Sequence, residues 1–126
     1  MPIVARDQLH ALASQEGVTL SPAKSAAVLR VSRPPVNLVL TVPDNVFEWF
    51  VSVSNSETGG TIEDWADHYG APREQLQAEM ASEVLSFARN VVGRHLRFSE
   101  TQGKLVLEWR IGDDWRQCVP FAPGDA

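Results

Sequence analysis

The chain contains little cysteine and little positive charge. Cys118 is its single cysteine among 126 residues, so no disulfide can form within the chain, and a reducing compartment is expected. Sixteen acidic residues outnumber eleven basic ones and give a net charge of −5. A nucleic-acid-binding protein normally carries a basic stripe, so this balance argues against a nucleic-acid partner.

Long apolar runs are also missing. The longest nearly uncharged apolar stretch, residues 36–42, is far shorter than the roughly 20 residues that span a bilayer. The N-terminus lacks the basic and apolar segments of a secretory signal. We therefore expect a cytoplasmic protein without a membrane partner.

Motifs of the common enzyme classes are absent as well. The sequence has no G-x-S-x-G nucleophile elbow, P-loop, dinucleotide-binding glycine pattern, H-E-x-x-H zinc motif or paired C-x-x-C. Backbone or ligand geometry dictates these motifs, so their absence argues against those classes. We expect a protein that is not an enzyme and that holds neither a metal nor a cofactor.

The composition that remains is that of one globular domain over residues 1–126. Apolar residues make up 44% and charged residues 21%, which is enough for a hydrophobic core at this length. Helices and strands are segregated along the chain, which predicts an α+β fold. We expect an antiparallel sheet of five to six strands, with a long helix packed on one face and a short N-terminal helix.

Apolar periodicity and turn residues place these elements. Helices are predicted over residues 5–16, 61–69 and 73–92, the last with apolar side chains at steps of three and four. Strands are predicted over residues 26–32, 36–42, 46–54, 96–99, 105–111 and 115–119. Ser21-Pro22 is interpreted as a break between the first helix and the first strand.

Matching the apolar faces of neighbouring strands gives the first hairpin register. A two-residue loop, Asp44-Asn45, pairs Leu40 with Trp49 and keeps Trp49 in the core. Phe50 and Val39 then face away from the core. The N-terminal helix covers them, or they form an exposed patch.

The second hairpin is predicted to turn through residues 112–114. This loop pairs Ile111 with Trp115 and assigns Trp115, like Trp109, to the core. It also sets Arg110 opposite Arg116, a like-charge pair that is unfavourable unless a carboxylate neutralises it. Glu108 can do so internally, or the pair awaits an acidic partner or a phosphate.

Negative charge is concentrated in residues 57–83, which contain seven carboxylates and one arginine. Trp65 lies among them, and a partly exposed tryptophan amid charges is a frequent interface anchor. The predicted partner-binding residues are Glu57, Glu63, Asp64, Trp65, Asp67, Glu79 and Glu83. The alternatives are a solvated acidic helix and a Trp65 packed on the sheet edge.

Two smaller groups of residues invite a chemical role. Asp64 and His68 are four apart on a predicted helix, a spacing that metal ligands use, although solvated side chains also follow it. Cys118 shares a predicted strand face with Arg110 and Arg116, which would lower a thiol pKa. No histidine lies nearby in sequence to act as its base, and an isolated buried cysteine is the alternative.

The segment of residues 47–53 is followed by Glu57-Thr58-Gly59-Gly60 and then by Glu63-Asp64-Trp65. This order resembles small bacterial immunity proteins, in which a strand meander leads through a turn into acidic helices. The resemblance implies a cytoplasmic protein that binds a cognate toxin and blocks its active site. An acidic helix would then imitate the phosphate that a cationic nuclease holds.

Two further interpretations remain open. The small size, acidic pI and element order resemble type III secretion chaperones, although the C-terminal helix usual there is missing. That resemblance implies a dimeric binder that associates through the long helix. The other interpretation is a small-ligand-binding or enzymatic domain that uses the concave side of its sheet.

Overall fold

A computed structural model describes residues 6–121, apart from the side chains of Pro22 and Ala23. In chain order the elements are α1 (Arg6–Leu12), β1 (Val18–Ala23), β2 (Ala26–Arg33), β3 (Val36–Pro43), β4 (Glu48–Asn55), β5 (Thr61–Asp67), α2 (Arg73–Gly93), β6 (Leu96–Thr101), β7 (Lys104–Ile111) and β8 (Asp114–Val119). The predicted start of the first helix, residue 5, lies outside the described residues, and the helix ends four residues earlier than predicted.

The strands form two antiparallel meanders. The first sheet contains β1 to β5 in sequence order, and the second sheet contains β6 to β8. This confirms the predicted α+β class with its long and short helices. The strands form a five-stranded and a three-stranded sheet instead of a single sheet, because each strand pairs with its chain neighbour and α2 separates the two meanders.

The core lies between the first sheet, α2 and the second sheet. Burial alternates along β3: Leu38 and Leu40 are buried, and Val39 between them is half-buried. From α2, Met80 and Val84 join the same buried cluster, as their one-turn spacing requires. Leu107 of β7 also belongs to this cluster, so the second sheet helps to enclose the core.

The opposite face of the first sheet is here called the outer face, and neither helix of residues 6–121 covers it. The short helix α1 contacts α2 and β1, so it lies on the core side of the sheet. Phe50 is 39% exposed on the outer face, and Val39 is half-buried there. Of the two alternatives for these residues, the exposed patch is the one observed.

The helix predicted over residues 61–69 is wrong, because residues 61–67 form strand β5. Ile62 is buried opposite Val53, while Glu63 and Trp65 are exposed on the other side, which is the period-two alternation of a strand. The interpretation of Ser21-Pro22 as a break is wrong as well. It lies in β1, at the sheet edge, where a proline is tolerated.

The first predicted register is displaced by two residues. Leu40 pairs with Val51, not with Trp49, because the connection between β3 and β4 is longer than two residues. An even displacement preserves which side chains face the core, so Trp49 remains buried as predicted.

The second predicted register is wrong near its turn. The turn contains Gly112 and one further residue, and Gly112 has the positive φ that a tight hairpin turn favours. Arg110 therefore pairs with Trp115 and not with Arg116. Trp115 therefore lies outside the core, beneath the guanidinium of Arg97. The Cζ atom of Arg97 is 4.2 Å from the centre of the Trp115 ring.

Candidate functional site

The predicted partner-binding residues are distributed over a turn, a strand and a helix. They are Glu57 in the turn before β5, Glu63, Asp64, Trp65 and Asp67 in β5, and Glu79 and Glu83 in α2. Since neighbouring side chains of a strand point to opposite faces, Glu63, Trp65 and Asp67 share the outer face while Asp64 points inward. The structure thus brings together three of the seven residues on one surface.

On the outer face, the hairpin of β4 and β5 carries one aromatic cross-strand pair with acidic residues on both sides of it. Phe50 lies opposite Trp65, and Glu48 lies opposite Asp67. On the far side of the aromatic pair, Glu63 lies opposite a serine. Same-face neighbours along a strand are about 7 Å apart, so carboxylates flank the aromatic pair on both sides.

Val46 and Tyr69 extend this surface at the open end of the hairpin. The amide of His68 donates to the carbonyl oxygen of Phe47 at 2.8 Å, so the pairing continues past the ends of the strands. Val46 and Tyr69 line the same shallow depression, together with the Glu48–Asp67 pair. We call Val46, Glu48, Phe50, Glu63, Trp65, Asp67 and Tyr69 the outer hairpin surface.

Exposed apolar side chains are concentrated on this surface. Among the described residues five large hydrophobic side chains are exposed, and four of them lie here: Val46 at 44%, Phe50 at 39%, Trp65 at 61% and Tyr69 at 83%. The fifth is Ile111 in the second sheet. Clustering of this kind, with polar groups around it, is typical of an interaction surface.

The carboxylates of the outer hairpin surface have no cation beside them. No ion pair within residues 6–121 involves Glu48, Glu63 or Asp67. Like charges directly opposite each other in a sheet are unfavourable, so the Glu48–Asp67 pair costs the domain some stability. A cationic partner would relieve that repulsion.

Asp64 is engaged within the chain. Its carboxylate accepts the backbone N–H of Trp65 at 2.8 Å and also that of Phe121. It thereby occupies a backbone donor of the edge strand β5 and ties the strand to the segment after β8. Asp64 and His68 do not share a helix face, because Asp64 lies in strand β5 and His68 follows the end of that strand. No group of potential metal ligands is found in the described part of the chain.

His68 instead faces Glu79 and Glu83, two of the three acidic residues of α2. Its Nε2 lies 3.3 Å from Oε2 of Glu83, and its Nδ1 lies 3.9 Å from Oε2 of Glu79. The geometry at Nε2 is not that of a hydrogen bond, so the imidazole and the carboxylate of Glu83 are close without a hydrogen bond between them. Trp49 donates its indole N–H to Oε1 of Glu83 at 3.0 Å. Sequence reasoning missed this cluster, although the four-residue spacing of Glu79 and Glu83 marks one face of the helix.

Cys118 is buried and not poised for nucleophilic chemistry. Its side chain is 6% exposed, and its Sγ donates to the carbonyl oxygen of Leu107 at 3.3 Å. Burial in apolar surroundings raises the pKa of the Cys118 thiol from 9.0 to about 12. The thiol is therefore neutral at physiological pH, which contradicts the nucleophile hypothesis and leaves the isolated buried cysteine.

We expect the folded protein to resist thiol reagents. At about pH 8, Ellman's reagent should react with Cys118 about 1000-fold more slowly in buffer than in denaturing urea, the ratio of thiolate fractions implied by the raised pKa. The raised pKa also predicts that stability falls as the pH rises from 9.0 towards about 12, because the unfolded chain releases a proton that the folded chain retains. Equal reaction rates in buffer and in urea would contradict the burial of this thiol.

Comparison of the chain with protein-family models, with curated proteins and with solved structures gave no match. Within residues 6–121, neither helix has the length and apolar character needed to cross a membrane. The functional proposal therefore rests on the surface chemistry of this chain itself.

Proposed function

We propose that this protein is a non-catalytic, cytoplasmic protein-binding domain whose partner docks on the outer hairpin surface. The observation that carries the proposal is that, of the five large hydrophobic side chains exposed within residues 6–121, four lie on one hairpin. Ordinary monomers expose such side chains singly, whereas binding surfaces group them within a polar rim.

The flanking charges indicate the chemistry of the partner. Glu63 and Asp67 each lie two residues from Trp65 along β5, on the same face. An arginine side chain can therefore stack its guanidinium on the indole of Trp65 while it donates a hydrogen bond to one of these carboxylates. Apolar side chains beside that arginine would cover Phe50. A cationic and partly apolar protein surface fits this face best.

An immunity protein is the specific form of this proposal. The partner would be a toxin whose cationic active-site surface docks on the outer hairpin surface and is covered by it. The acidic element of the resemblance is then a strand in place of a helix, with Glu48 added to Glu63 and Asp67. Unlike this form, a chaperone-like dimer would need an apolar face of α2, yet Met80 and Val84 are both 0% exposed within the domain.

Substitutions on the outer hairpin surface test the proposal. We expect Trp65→Ala to weaken binding of the partner by roughly 30-fold or more, the effect of a central interface tryptophan. The triple variant Glu48→Lys, Glu63→Lys and Asp67→Lys should abolish binding. The partner is captured from host extract by the wild-type protein, identified and purified, and its dissociation constant is then measured by calorimetry. In the immunity form, the purified partner also loses its toxic activity when the wild-type protein is added.

A charge-matched control separates this surface from the overall charge of the protein. The triple variant Glu16→Lys, Glu100→Lys and Asp114→Lys makes the same charge change at exposed positions away from the outer hairpin surface. It should change the dissociation constant by no more than about threefold, as expected for charges outside an interface. Normal binding by the outer triple variant, or equal loss in both triple variants, would refute the proposed surface.

A further inference from the structure

A pocket of about 470 Å³ lies between α2, the β4–β5 hairpin and the second sheet. Its position is unrelated to the outer hairpin surface, since its lining comes from the core side of β4 and β5. Trp49 and Phe87 form its floor and are almost fully buried. Trp109 and Phe121 line it as well and are only partly buried, so the pocket opens to solvent.

The four aromatic rings contact one another around this pocket. The centre of the Trp49 ring lies 5.2 Å from that of Phe87 and 5.0 Å from that of Phe121. The Phe87 ring lies 5.7 Å from Trp109 and 5.6 Å from Phe121. Protein cores are close-packed, so a space of this size beside the rings at the edge of the core resembles a binding site.

Among the described residues that line the pocket, Glu83 is the single one with a charged side chain. The indole of Trp49 donates to its Oε1, which fixes the carboxylate at the edge of the aromatic floor. Glu79 and Glu83 both lie beside the imidazole of His68. Two carboxylates outnumber one imidazole, so this three-residue cluster has a net negative charge. Aromatic faces beside a fixed negative charge favour a cation.

We propose that this pocket binds a small organic cation of the quaternary ammonium class. The partly exposed rings of Trp109 and Phe121 contact the methyl groups of the cation, and the carboxylate of Glu83, which Trp49 holds in place, balances its charge. A pocket of this volume accommodates the ammonium head group together with a short substituent. An ammonium group with methyl substituents needs no hydrogen-bond acceptor, which suits a lining that is mainly apolar.

Choline is the probe that tests this site, with 3,3-dimethyl-1-butanol as its uncharged carbon analogue. We expect saturable binding of choline with a dissociation constant of about 1 mM or lower, and binding of the analogue at least about 10-fold weaker. NMR spectra of the indole N–H groups show where choline binds. The signals of Trp49 and Trp109 should shift with choline concentration, while those of Trp65 and Trp115 stay in place.

Two isosteric variants of α2 isolate the charge of the pocket. Glu83→Gln keeps an oxygen that accepts from Trp49 but removes the negative charge, and it should weaken choline binding about 10-fold or more. Glu79→Gln alters the same His68 cluster outside the pocket lining and should change binding about twofold at most. Equal affinity for choline and its uncharged analogue, equal effects of the two variants, absence of saturation at about 50 mM, or shifts confined to Trp65 would each overturn the proposal. Trp65→Ala should leave choline binding unchanged, so this site and the partner-binding surface stand or fall separately.

Discussion

Replacing Trp49 with alanine is expected to lower the free energy of unfolding by about 3–5 kcal/mol, the range for loss of a large aromatic side chain from a core. Trp49 is 2% exposed, contacts two phenylalanine rings and donates a hydrogen bond to Glu83. Because small domains are stable by only about 5–15 kcal/mol, the variant should lie close to the limit of folding. Urea unfolding followed by circular dichroism measures the change.

The same substitution on the neighbouring strand is the control. Trp65→Ala removes an identical side chain that is 61% exposed, so its effect on stability should stay within about 0.5 kcal/mol. Trp49→Phe should fall between the two, because it retains an aromatic ring but loses the hydrogen bond to the carboxylate of Glu83. Equal losses for the two alanine variants would contradict the assignment of Trp49 to the core and of Trp65 to the outer face.

The long helix was predictable because local and global signals agree. Pro72 precedes its first residue, and apolar side chains recur at steps of three and four up to Gly93. The strands β2 to β4 and β6 to β8 were also predictable, since their alternating pattern and turn residues describe the pairing of chain neighbours. Faces are easier to predict than registers, as the two-residue displacement between β3 and β4 shows.

Strand β5 was mispredicted because local signals conflict with pairing. Thr61 followed by Glu63 and Asp64 matches the start of a helix, with acidic residues in its first turn. Pairing with β4 overrides that preference and buries Ile62 against Val53. The turn before it carried a signal for a hairpin. The side chain of Asn55 accepts the N–H groups of the two residues at 57 and 58, and a glycine pair follows.

The candidate surface was only partly predictable, because the sequence shows residue types but did not reveal the pairing of β5 with β4. The acidic character of the segment could be inferred from the residue types, whereas Trp65 was left between an exposed anchor and a side chain packed on the sheet edge, and the exposed alternative is observed. Glu48 and Phe50 could not be assigned to the surface, because their position beside Asp67 and Trp65 depends on β5 being a strand. Glu79 and Glu83 were grouped with that surface for their charge, whereas the structure places both beside His68.

Gly17→Ala is the second substitution with a large expected effect, a loss of about 2–4 kcal/mol in the free energy of unfolding. Gly17 joins α1 to β1 with a φ of 77°, which an alanine adopts only with strain. A Cβ at this position would lie 2.4 Å from the backbone carbonyl oxygen of Ser32. Ser32 also donates its N–H to the carbonyl oxygen of Gly17 at 2.7 Å, so β2 cannot move away without loss of that hydrogen bond.

Gly59→Ala provides the matched comparison, because Gly59 has the same φ of 77° and no atom within 4 Å of its Cβ position. It should lose only the conformational part, about 1 kcal/mol. The difference between the two variants in urea unfolding measures the steric contact of Gly17 with β2. If both variants lose the same amount, the close approach at Ser32 is not formed in solution.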